Sequence, residues 1–157
     1  MNRVSAFFAV ILGSAVCTLH AQPFDIHREV EKANKQTFPA AAHQIEENTD
    51  VKVTLAVDAD SFGTDAHAWS NLYIIANRIV GALSDVGRDQ IGKDALERDV
   101  KKVVIIRVAS TEEATVELKK GTVYIQTSAS DKAMTVLQNI LTTELEKALH
   151  TGHPPKE

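Results

Sequence analysis

Apolar residues recur at three- and four-residue steps through much of this chain and alternate with polar ones between those stretches. Over residues 65–86 the recurring positions are Trp69, Leu72, Tyr73, Ala76, Ile79, Val80 and Leu83, the stripe of an amphipathic helix. Gly87 is its natural stop. Ile74 and Ile75 lie off the stripe, which predicts cover on more than one side. Trp69 and Tyr73 are one turn apart and read as core; a recognition surface is the alternative. Residues 24–47 read as a helix with Phe24, Val30, Ala33, Phe38, Ala41, Ala42 and Ile45 near one face. Pro39 should kink or split it, with Thr37 as a cap for the second half. A short helix over 93–101 carries Ala95, Leu96 and Val100. A last one over 130–149, capped by Ser130, carries Met134, Leu137, Leu141, Leu145 and Ala148.

The strands follow a period of two. Over 51–57, Val51, Val53, Leu55 and Val57 alternate with Lys52, Thr54 and Ala56. Residues 103–108 are nearly continuously apolar, which predicts a central strand buried on both faces. Residues 114–119 and 122–127 alternate, and Lys120-Gly121 between them is a hairpin turn. The order α-β-α-α-β-β-β-α predicts an α+β fold: a mixed or antiparallel sheet of about four strands, packed by helices. The helical connection lets the first two strands lie parallel, and the last three read as an antiparallel meander. Thr115, Glu117, Lys119, Thr122, Tyr124 and Gln126 form the hairpin's polar outer face. They are a candidate interaction surface, with partner pairing expected if the last strand is at the sheet edge.

Composition adds compartment and excludes some partners. The 157 residues are 44% apolar and 24% charged, with a formal charge of −4. That is the make-up of a globular domain. The mild acidity gives no support for a nucleic-acid partner, which needs clustered Lys and Arg. Arg3, the apolar run 4–16 and Leu19-His20-Ala21 make the three-part pattern of a secretory signal, with cleavage expected between Ala21 and Gln22. The run is too short to span a bilayer, so no transmembrane segment is expected after cleavage. Lipid attachment at Cys17 is the rival, but Ser14-Ala15-Val16 lacks a lipobox pattern. Cleavage removes the one Cys, so the remaining domain, 22–150, has no thiol chemistry. It also has no Asn-x-Ser/Thr sequon, which fits a periplasmic or secreted bacterial protein. Residues 151–157 read as a disordered tail, because Gly152, Pro154 and Pro155 cannot continue a helix.

The chemically suggestive segment joins the first strand to the long helix. Asp58, Asp60, Asp65 and His67 lie within ten residues, and such oxygen ligands could hold a divalent cation. Two patterns come close and fail. The Asp-x-Asp of haloacid-dehalogenase-type phosphatases needs a larger sheet and further acidic residues. An EF-hand loop would put Phe62 and Trp69 at ligand positions. The simpler reading makes Asp58 and Asp60 strand-end loop residues and Thr64 or Asp65 a helix cap, with His67 exposed in the first turn. There is no Gly-x-Ser-x-Gly, no His-Glu-x-x-His and no phosphate-cradling Gly-rich loop.

One resemblance bears on class. The strand into Asp58-Ala59-Asp60-Ser61-Phe62, the helix over 72–83, Ile91-Gly92-Lys93-Asp94-Ala95-Leu96 and Lys102-Val103-Val104-Ile105-Ile106 are similar to small exported bacterial α+β proteins of no assigned function. The resemblance covers half of the chain beyond the leader and implies no activity. The leading expectation is therefore an exported, non-enzymatic binding domain with an exported protein partner. The alternatives are a metal-dependent hydrolase using Asp58, Asp60, Asp65 and His67, and a small-molecule carrier with a pocket between sheet and helices.

Overall fold

The computed structural model describes residues 24–110 and 115–129 and the helix 131–151, with side chains over 137–149 of that helix. The expected signal and its cleavage site, the Ser130 cap and residues 152–157 lie outside the described residues.

Asp25 opens α1 (Ile26–Lys32) by accepting the Arg28 amide. The chain does not split at Pro39. It passes through one π-helical turn, Ala33–Thr37, into α2 (Phe38–Thr49), and Thr37 makes no capping bond. Proline has no N–H and its ring collides with the carbonyl four residues earlier; the wider turn just ahead of Pro39 absorbs both defects while the helix continues. Asp50, at φ 60°, ends α2 in the left-handed region. The buried Thr49 closes this corner, donating to Ile45 O at 2.7 Å and accepting the Val51 amide at 3.2 Å.

β1 (Thr54–Val57) leads through the single turn α3 (Ala59–Phe62) to α4 (Ala66–Ser70) and α5 (Leu72–Val86). The expected single helix over 65–86 is thus two, separated at Asn71. α6 (Gln90–Asp99) starts three residues earlier than its apolar pattern implied, because Asp89 caps it through the Gly92 amide at 2.8 Å. Then come β2 (Lys102–Arg107), β3 (Thr115–Lys119), β4 (Thr122–Thr127) and α7 (Asp131–Thr151). Thr151 closes this helix and is not part of a tail. Lys120 and Gly121 both have positive φ, as a tight two-residue hairpin turn demands.

The architecture is α+β, with a four-stranded sheet in the order β1-β2-β4-β3. β1 and β2 are parallel, as their helical connection allows. The meander is overturned: β4 lies parallel to β2 and inside the sheet, and β3 takes the edge. Alternation alone does not say which arm of a hairpin goes inward. β4 buries Val123, Ile125 and Thr127, while β3 carries the charges Glu117 and Lys119 and suits an edge.

Packing is one-sided. The register puts Leu55, Val103, Val123 and Leu118 in one row and Val57, Ile105, Ile125 and Val116 in the next, all on one face. Helix α2 packs on β1 and α7 on β3 and β4, with α5 between the two helices. Ile75, Ala76, Ile79, Leu83, Leu137, Leu141 and Leu145 fill the space against that face. Of the two residues off the stripe, Ile75 is buried, because α5 is covered from two sides, whereas Ile74 is 39% exposed. Tyr73, expected in the core, is 62% exposed, whereas Trp69 is buried against Phe62, with ring centroids 5.1 Å apart. Among the described residues no helix is long and apolar enough to cross a membrane.

Candidate functional site

Two places carry the residues singled out from the sequence. The first is a cleft of about 190 Å³ beyond the carboxyl ends of β2 and β4. Asp65, His67, Ala68, Arg107, Val108 and Ala129 contribute to its walls. Asp65 caps α4: one carboxylate oxygen accepts the His67 amide at 3.0 Å and the Ala68 amide at 3.2 Å. Its other oxygen accepts from Arg107 Nη2 at 2.6 Å. The Ala68 amide bonds the charged form and is the main reason the Asp65 carboxyl titrates below its ordinary value; partial desolvation opposes this, and Arg107 and the His67 amide add to it.

The neighbours of this pair are also fixed. Ser61 Oγ accepts the Arg107 amide at 2.9 Å and donates to Asp58 O at 2.7 Å, tying α3 to β2. The buried Asn71 donates through Nδ2 to Ala129 O at 2.8 Å. The same nitrogen is 3.2 Å from His67 Nε2. An amide nitrogen has protons to give and no lone pair to offer. His67 Nε2 is therefore the acceptor, and the ring proton sits on Nδ1.

The four candidate ligands are not gathered. Asp65 and His67 share the cleft, but Asp58 and Asp60 do not join them; among the described residues no three His, Cys, Asp or Glu side chains group as a cation site. Asp58 stands at the end of β1, its amide bonded to Ile105 O at 2.9 Å, and Asp60 is exposed in α3. Arg107 was missed by sequence reasoning. It is 42 residues from Asp65, and nothing local marks it as the partner of a helix cap.

The second place is the other face of the sheet. Its rows are Thr54, Lys102, Thr122 and Lys119; then Ala56, Val104, Tyr124 and Glu117; then Ile106, Gln126 and Thr115. All the hairpin residues singled out from the sequence, Thr115, Glu117, Lys119, Thr122, Tyr124 and Gln126, lie on it. Every position on it is half-buried or exposed, so β2 is central but not buried on both faces. Val104 and Ile106 keep apolar surface in contact with water, which a purely apolar pattern had hidden. Lys119 is paired with Glu117 at 2.6 Å, whereas Lys102 has no side-chain partner among the described residues.

No known protein family, curated protein or solved structure matches this chain.

Proposed function

We propose that this protein is an exported, non-enzymatic interaction domain, periplasmic or secreted, that holds a protein partner against the uncovered face of its sheet. One observation carries the reading. Among the described residues, helices pack on one face only of a sheet three of whose strands, β1, β2 and β4, are parallel, an arrangement ordinarily covered on both faces. That half-exposed face has an apolar middle, Val104, Ile106 and Tyr124 on the two central strands, with Ala56 beside it on β1 and Lys102, Thr115, Glu117, Lys119 and Gln126 around it. An apolar centre within a polar rim is the anatomy of a binding surface. Pairing of a partner strand along β3 is less favoured, because Glu117, Lys119 and Lys120 crowd that edge with charge.

The test is capture from the host's export compartment by the tagged full chain, set beside Val104→Glu and Tyr124→Glu. The expected result is one stoichiometric partner, lost with either variant while the melting temperature is kept. Equal capture by all three proteins, no partner at all, or turnover of a substrate would each sink the reading. The metal-dependent hydrolase gains no support from the geometry. Asp65 already serves two amides and Arg107, and among the described residues no third ligand groups with it and His67.

A further inference from the structure

The cleft beside Arg107 has a chemistry of its own, independent of the sheet face. Arg107 is about one-third exposed, and its side chain meets one partner among the described residues, Asp65, through Nη2 alone. Among the described residues nothing accepts from its Nε and Nη1. Both Asp65 oxygens are turned onto bonds already made, to Arg107 and to the two amides at the start of α4. The carboxylate thus holds the guanidinium in place without using up its fork.

The surroundings sort a ligand by polarity. Arg107, its paired Asp65, His67 and Ser128 stand among Ala68, Val108 and Ala129, so a cation, the carboxylate that holds it, an imidazole and a hydroxyl share the space with small apolar walls. A guanidinium fork matches the two oxygens of a carboxylate. About 190 Å³ is room for about six waters, or for a molecule of about six to eight non-hydrogen atoms. We propose that this cleft binds a small aliphatic carboxylate, its oxygens on Arg107 and its hydrocarbon tail along Ala68, Val108 and Ala129.

The experiment is a titration of the isotope-labelled full chain with acetate, butyrate, hexanoate and inorganic phosphate, followed by amide and Arg side-chain resonances. Butyrate should give saturable shifts at Arg107, His67 and Ala129. Affinity should rise from acetate through butyrate to hexanoate, whose eight non-hydrogen atoms just fill the cleft. Arg107→Gln should weaken butyrate about tenfold or more. Linear, non-saturating shifts would overturn the proposal. So would unchanged affinity in Arg107→Gln, or saturable binding of phosphate with none of the carboxylates. Should Arg107→Gln fail to fold, Ala109→Trp fills the cleft from its exposed rim and leaves the ion pair intact. Butyrate binding undiminished in that variant is equally fatal.

Discussion

Replacing Gly92 by alanine adds one methyl group where the corner between α5 and α6 has no room for it. An ideal Cβ on Gly92 would sit 1.8 Å from the Val86 carbonyl oxygen, short by about 1.2 Å of the 3.0 Å that real Cβ contacts respect. The obstacle is backbone at the last residue of α5, so no side chain can swing aside. Either the end of α5 or the first turn of α6 must move, and the Asp89 cap on the Gly92 amide moves with it. Overpacking of this kind costs about 1–3 kcal/mol, and a weakened cap about 1 kcal/mol more. Against this stands the helix preference for alanine over glycine, about 1 kcal/mol in the other direction. The expected net loss is about 2 kcal/mol, or about 7 °C in melting temperature for a domain of this size. Urea and thermal unfolding of the wild type and Gly92→Ala, read by far-ultraviolet circular dichroism, measure it directly. The urea slope should be unchanged, since the surface exposed on unfolding is the same. Because propensity alone predicts a gain, the sign decides. A Gly92→Ala protein that melts higher than the wild type would mean that the close approach of α6 to Val86 O does not exist.

Other perturbations test the sheet and the cleft. Ile105→Ala opens a cavity at a fully buried position on the covered face and should cost about 2–5 kcal/mol, whereas Ile106→Ala on the half-exposed face should cost about 1 kcal/mol; similar losses for the two in urea unfolding would refute the one-sided packing. Asn71→Ala strands the buried Ala129 carbonyl and should cost about 1–3 kcal/mol, and the nitrogen shifts of the His67 ring should show its proton no longer confined to Nδ1. Asp65→Asn tests the charge at the cap. The folded carboxyl titrates below the unfolded value of 3.8, so its contribution is present at neutral pH and is lost as pH falls from about there through the lower folded value. An acid-unfolding curve for the variant should therefore be flatter than the wild type below about pH 4; parallel curves would mean that Asp65 gains nothing from its charge.

What could be read from the chain is what depends on neighbours in sequence. The stripe through Leu72, Ala76, Ile79, Val80 and Leu83, the alternation in β3 and β4, the Lys120-Gly121 turn and the Asp65 cap all follow from the period of a helix, the period of a strand, or a side chain reaching an amide two or three residues on. The face shared by Thr115, Glu117, Lys119, Tyr124 and Gln126 follows as well, because residues two apart in a strand point the same way. Tertiary structure alone decided the rest. Alternation places Val123 and Ile125 on one face but does not choose β4 over β3 as the neighbour of β2; that choice rests on burying β4 between two ladders and leaving the charged strand outside. The apolar run of β2 was equally compatible with cover on both faces, and the packing of α2, α5 and α7 on one of them left Val104 and Ile106 half-bare. Tyr73 falls on the apolar stripe yet is mostly exposed, because the stripe marks a face and not how much of it the packed helices cover. Arg107 meets Asp65 because parallel pairing of β1 with β2 sets the end of one strand beside the helix that follows the other. That contact joins residues 42 apart, and no local period carries information over such a distance.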